Sequence, residues 1–206
     1  MKVLLINGSP NEKGCTYTAL MEVAKEFDRN GIDYELVQTG KNAIRGCTAC
    51  FNCKKTGKCV FGDDIVNDVI AKVKEADALI VGSPVYYAGM SGQTKSLLDR
   101  VFVAGSGYEN KLAASVVSCR RGGASAAFDQ INHYFGMSNM HVVASQYWNQ
   151  VHGSRAEDVE QDLEGLQTMR TLGRNMSWLL RCIELGNQHN IKKPEYEPVA
   201  RTNFIR

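Results

Sequence analysis

Short apolar runs alternate with helix-patterned stretches along most of this chain, and that alternation limits the fold more than any single motif does. Residues 2–7 form a continuous apolar run, and residues 18–29 follow with Leu20, Val23, Ala24 and Phe27 on one helical face. The spacing predicts further strands over 34–38, 78–82, 113–118 and 142–144, and further helices over 65–74, 94–102, 124–135 and 158–185. The strands are apolar throughout rather than at every second residue, which implies a sheet buried on both faces. Right-handed crossovers put helices on each side of such a sheet. The expected fold is α/β, a doubly wound, five-stranded parallel sheet in the order 2-1-3-4-5.

A length of 206 residues suits one such domain. We read it as residues 1–185, with a cysteine-rich loop at 46–60. The polar stretch 186–206, where Pro194 and Pro198 limit regular structure, is expected to lie as an arm over the domain or a neighbouring copy. A content of 44% hydrophobic and 22% charged residues excludes the disordered and fibrous classes. A formal charge of +2 gives no pull toward nucleic acid or an anionic membrane. No apolar run approaches the ~20 residues of a spanning helix, and the opening run is too short for a secretory leader, so a cytoplasmic protein is expected. In that setting seven cysteines favour thiol, metal or redox chemistry over a disulfide framework.

Three loops follow strands on the edge where a doubly wound sheet binds ligands. The first, residues 8–18, contains Ser9, Asn11, Gly14, Cys15 and Thr16. Its N–H groups and hydroxyls meet a helix N-terminus, which makes it a phosphate cradle. It has neither the ending of a nucleoside-triphosphate P-loop nor the glycine spacing of a dinucleotide fold, so a monophosphate such as that of FMN matches better. The alternative is a plain turn in which Thr16 or Thr18 only caps the helix. The second loop, at 82–90, offers Pro84, Val85, Tyr86 and Tyr87 beside a flat heterocycle such as the isoalloxazine ring. The third, at 118–123, supplies Ser118, Gly122 and Gly123 with the cations Arg120 and Arg121, suited to the pyrimidine edge of a flavin or a nicotinamide-cofactor phosphate.

Gly8-Ser9-Pro10, Gly14-Cys15-Thr16, Asp63-Asp64, Ala76-Asp77, Ser83-Pro84-Val85-Tyr86 and Lys95-x-x-x-Asp99-Arg100 together resemble the NADPH-dependent FMN reductase family of the flavodoxin-like fold. Within it, Cys47, Cys50, Cys53 and Cys59 followed by Asp63-Asp64 are similar to the compact cysteine motif of the iron-sulfur flavoproteins. The resemblance implies FMN with its phosphate near Ser9, Asn11, Cys15 and Thr16 and its ring held by residues 84–87 and 118–123. It also implies NAD(P)H as co-substrate and a homodimer or homotetramer. Many family members carry Arg where this chain has Asn11, so phosphate binding here must lean on N–H groups and hydroxyls.

The cysteine loop supports three readings. Thiols at spacing three can converge on a 4Fe-4S cluster with Cys59 folding back as fourth ligand. The same thiols can be free or pair on oxidation, and zinc is a further use, although structural zinc usually takes two well-separated pairs. His133, His141, His152 and His189 lack metal-ligand spacing, and no residue is assigned acid–base catalysis, because a flavin carries that chemistry itself. Cys119 and Cys182 read as packing residues, Trp148 and Trp178 as core or interface, and Asp99-Arg100 as structural or a subunit contact. The function expected is electron transfer from NAD(P)H to flavin, quinone or another acceptor, or alternatively electron carriage between protein partners through a cluster.

Overall fold

The computed structural model describes residues 1–202. Five parallel strands form its sheet: β1 (Lys2–Asn7), β2 (Asp33–Gln38), β3 (Ala78–Tyr86), β5 (Leu112–Cys119) and β6 (His141–Val142), in the order β2-β1-β3-β5-β6. That is the expected 2-1-3-4-5 arrangement, with two additions. A short β4 (Gly89–Met90) pairs antiparallel with the end of β3, and β7 (Gln150–His152) pairs with the end of β5. Both additions are only two or three residues long, too short for periodicity to register. They also correct the expectation that 82–90 is a loop, since Ser83 to Tyr86 continue β3 and β4 folds back on them.

The apolar strands are explained by burial on both faces. Leu4, Ile6, Leu79, Val81, Ala113 and Val117 pack under α3 (Val66–Glu75), α4 (Gly92–Ala104) and α5 (Ala124–Met137). Their alternates Val3, Leu5, Ile80, Ala114 and Val116 pack under α1 (Cys15–Asn30) and α7 (Leu163–Gln188). Each large apolar side chain taken fully out of water contributes about 1.5–3 kcal/mol, so both helix layers are needed to hold the sheet.

Several helix expectations are corrected. The predicted helix over 158–185 is two elements, α6 (Ala156–Gln161) and α7, because Asp162 leaves helical geometry to accept the N–H of Gly165 and that of His152. Leu163 stands exposed beside this break. Helix α7 also runs on to Gln188, into the stretch expected as an arm, and residues 191–202 have no regular structure. The last part of that expected arm, 203–206, lies outside the described residues. Cys182, Trp148 and Trp178 are exposed and belong to no core here, whereas Cys119 is buried as expected. A single turn, α2 (Cys53–Thr56), lies within the cysteine loop. Among the described residues, no helix is long and apolar enough to cross a membrane.

Candidate functional site

The carboxyl ends of β1, β3 and β5 converge through a dense set of polar contacts. Gly8 donates its N–H to Gly82 O at 2.8 Å, and its own carbonyl accepts the hydroxyls of Ser91 at 2.8 Å and Thr94 at 3.1 Å. A Cβ at position 8 would lie 2.0 Å from Thr94 Oγ1 and 2.7 Å from Gly82 O, so only glycine fits. Beneath the loop, buried Asn7 donates to Gln38 Oε1 at 2.6 Å and accepts the N–H of Ser9 at 3.2 Å. Gln38 in turn donates to Ser9 O at 2.6 Å. The Ser9 hydroxyl accepts the N–H of Asn11 at 3.1 Å, which leaves its proton free to donate.

Helix α1 begins behind this loop with no side chain capping its N-terminus and no acid in its first turn. Its first N–H groups therefore remain for an external acceptor, and its dipole favours an anion there. A cleft of about 640 Å³ opens at that point, lined by Asn11, Gly14 and Cys15, by the cations Lys13, Lys41 and Arg155 and by the carboxylates Glu12 and Glu157. Ser9 and Thr16 are buried behind it. The Thr16 hydroxyl lies 2.9 Å from that of Ser118, so these two residues tie α1 to β5 with their side chains. Burial pushes the Cys15 thiol up, and its Sγ–H donates to Gly153 O at 3.5 Å.

Beside the cleft, β3 and β4 are joined by Tyr87 and Ala88, both with left-handed backbone (φ 49° and 59°). This is the φ pattern of a type I′ hairpin, which normally uses Asn-Gly. Holding a non-glycine residue there costs about 1–2 kcal/mol, and the hairpin carries two. It projects Tyr87 fully into solvent with Tyr86 half exposed. Gly123, itself left-handed, abuts the turn, because a Cβ there would lie 2.9 Å from Ala88 Cα and 3.2 Å from Val85 Cγ1. Pro84 pairs with Ser118 across the strands, and Gly122 is exposed between Arg121 and Gly123.

The cysteine loop packs against α4. Cys47, Cys50, Cys53 and Cys59 all line one small cavity of about 20 Å³, together with apolar groups such as Phe51, Phe61 and Val103. Left-handed backbone at Ala49 and Phe51 turns the outer limb, whose Cys47 and Cys50 are exposed. The inner limb is held more firmly. Asn67 accepts the N–H of Cys59 at 2.8 Å and donates to the carbonyls of Cys59 and Phe61 at 3.0 and 3.1 Å. Arg100 donates Nε–H to Cys59 Sγ at 3.2 Å and pairs with the Asp64 carboxylate. Arg100 is only 1% exposed, which fits the structural reading of Asp99-Arg100 and leaves this side chain no surface for a subunit contact. Among the described residues, no three metal-ligating side chains are gathered closely enough to hold an ion.

Residues 1–154 match the family described as NADPH-dependent FMN reductase. The chain belongs to that family. An iron-sulfur flavoprotein of Methanocaldococcus jannaschii is 34% identical over 193 residues, covering 89% of this chain and all (100%) of the relative. The solved structure of RosB with a bound 8-demethyl-8-formylriboflavin-5'-phosphate intermediate superposes at a TM-score of 0.71, covering 100% of this chain and 92% of that one at 15% identity. A flavodoxin from the domain Archaea gives a TM-score of 0.61 over 88% of this chain and 99% of that one, also at 15% identity. These two structural likenesses establish a flavodoxin-like fold and nothing finer.

For a member of the FMN reductase family, the site combines expected and unexpected residues. The loops carrying Ser9 to Thr16, Pro84 to Tyr87 and Ser118 to Gly123 do adjoin. Lys13 lies in the loop read as the cradle without being named as a contact, and Lys41 and Arg155 were not foreseen. Arg155 comes from the segment after β7, a strand that itself left no periodic trace, so its arrival at the cleft had no local sequence signature. Arg100 and Asn67 were also passed over as functional residues. The adjacency of Asp63-Asp64 to the cysteine motif was the one hint that a buried cation waits nearby.

Proposed function

We propose that this chain is an FMN-dependent oxidoreductase that takes electrons from NAD(P)H. The observation that carries this reading is the uncapped α1 N-terminus opening into a cleft flanked by Lys13, Lys41 and Arg155. Backbone N–H donors, a helix dipole and three cations that outnumber the two carboxylates Glu12 and Glu157 fit the doubly charged phosphate of FMN. When bound, FMN supplies both hydride and single-electron chemistry. The protein's work is then to bind and orient. Gly14 and Cys15 would contact the phosphate with their N–H groups and Asn11 with its side-chain amide, its own N–H being held by Ser9, while Ser9 and Thr16 shape the loop from beneath. The hairpin at Pro84 to Tyr87 and the glycines at 122–123 flank the ring, and Arg120 and Arg121 attract the phosphates of a nicotinamide cofactor. A second copy of the chain covers Tyr87, whose ring otherwise stands in water.

The cysteine loop favours a second step, single-electron exit through a 4Fe-4S cluster. Four thiols on one apolar cavity are the donor set such a cluster needs. The cavity itself has room for one water, so loading draws on movement of the exposed limb bearing Cys47 and Cys50. Cys47, Cys50, Cys53 and Cys59 would hold the cluster, which supplies one-electron exchange with a protein partner.

The test is an absorption spectrum of protein purified without oxygen, before and after dithionite, with flavin, iron and inorganic sulfide assayed on the same sample and NADH and NADPH oxidation followed. Flavin with iron, sulfide and NAD(P)H turnover is the expected result. No bound or bindable flavin sinks the whole reading. Flavin without iron leaves a reductase whose cysteines are free thiols, and a loaded protein that ignores both nicotinamide cofactors is an electron carrier reduced by another protein.

A further inference from the structure

Among the described residues Arg100 is the one buried cation, and it lies away from the flavin cleft. Taking a guanidinium out of water costs several kcal/mol unless it is paired and hydrogen-bonded. Asp64 supplies the pairing, and the other donors go to a single loop: Nη1 to Arg45 O at 3.2 Å, Nη2 to Phe61 O at 3.1 Å and Nε to Cys59 Sγ at 3.2 Å. A lysine at this position offers a point charge and cannot span two carbonyls, a carboxylate and a thiol at once. Cys59 is therefore fixed from both directions, its backbone by Asn67 and its sulfur by Arg100.

We propose that Arg100 is a positioning residue for Cys59 as a cluster ligand, and that its Nε–H bond to the sulfur raises the reduction potential of the cluster. The proposal rests on the reading of the cysteine loop as a cluster site. Hydrogen bonds to ligand sulfurs stabilise the additional negative charge of the reduced cluster, and a cationic donor does so more strongly than a neutral one. Helix α4 gives an internal control. The contacts of Thr94 with Gly8 lie about 9 Å along the helix axis from Arg100, so flavin retention reports an intact fold independently of the cluster.

The test compares full-length wild type, Arg100→Lys and Asp64→Asn, all purified without oxygen, for flavin, iron and sulfide content and for cluster potential by dithionite titration. Arg100→Lys is expected to keep its flavin and to make the cluster about tenfold harder to reduce at a fixed potential, ~59 mV lower for one electron. Asp64→Asn keeps the Nε–H bond and loses a negative charge, so its potential is expected unchanged or higher. Loss of iron from Arg100→Lys alone, with flavin kept, also supports positioning. Equal potentials in all three, a potential lowered in both variants, or iron lost from both with flavin kept, overturns the role of Arg100 alone. Wild type free of iron overturns this proposal and the cluster reading together. If the variants lose flavin as well, the decision passes to wild type grown with isotopically labelled arginine guanidino nitrogens. Pulsed electron paramagnetic resonance of its reduced cluster must then show coupling to an arginine nitrogen, and none overturns the proposal.

Discussion

The loop after β1 and the cysteine loop both touch helix α4, yet they are built in opposite ways. The first is wired throughout: Asn7, Gln38, Ser91 and Thr94 each satisfy part of its backbone, and Gly8 sits where no other residue fits. The second is wired only along its inner limb, by Asn67 and Arg100, while Cys47 and Cys50 stand exposed on the outer limb. A preformed anion cradle suits a cofactor that arrives complete, because binding then costs little ordering. A half-anchored loop suits a group assembled in place, with one ligand held ready and others brought to it.

The largest effect should come from breaking the rigid side. Gly8→Ala drives a methyl into Gly82 O and Thr94, and overpacking against backbone is expected to cost about 3 kcal/mol in urea unfolding with loss of retained flavin. A cost below about 1 kcal/mol would show that α4 slides aside and that the cradle is less rigid than described. The inner limb of the other loop comes next. Asn67→Ala removes three hydrogen bonds and leaves partly buried backbone groups unpaired, a local cost of about 2 kcal/mol. Amide exchange around 59–62 should speed up about thirtyfold, with iron content falling and flavin unchanged. Equal loss of flavin would mean that the two loops are one cooperative unit.

How much of this was legible follows the same division. The sheet order and both helix layers could be read because burial on two faces leaves apolar strands and 3.6-residue periodicity in the sequence. The cradle could be read because its residues are contiguous and sit at a strand-to-helix turn. Lys41 and Arg155 could not, since tertiary folding alone brings them beside Lys13. Nor could the mutual bond of Thr16 and Ser118, which turns two expected ligand contacts into a structural tie between α1 and β5. Arg100 looked like any basic residue near a helix end, and only its burial and its sulfur partner set it apart.

Arg155 is exposed at the start of α6, so its contact with phosphate is partly screened. Arg155→Ala is expected to weaken FMN binding about fivefold to tenfold, roughly 1 kcal/mol, and to flatten the dependence of affinity on salt. Titration of apoprotein with FMN at two ionic strengths measures both. Unchanged affinity would return the phosphate to the N–H groups of the loop alone, and the rigid side would then need no help from distant cations.

The smallest effect tests whether the cradle stands without its far support. Glu22 on α1 pairs with Lys25 at 2.7 Å and with Arg170 of α7 at 2.5 Å. Burial alone would raise its carboxyl, but these two cations outweigh it and hold the group below the ordinary value of 4.5. A depressed folded pKa means that the stabilisation is fully present above that value and is lost as pH falls through the folded pKa. Both cations are partly in water, so Glu22→Gln should cost no more than about 1 kcal/mol at neutral pH. The gap in melting temperature between wild type and variant should close as the solution is taken well below pH 4.5, and a gap that stayed open would remove the pairing as its cause. Glu22 lies about two helical turns from Cys15, and the contacts that hold the cradle come from β2, β3 and α4 rather than from α7. FMN affinity at neutral pH should therefore be the same in both proteins. If Glu22→Gln loosened the flavin, the docking of α1 on α7 would have to be counted as part of the site.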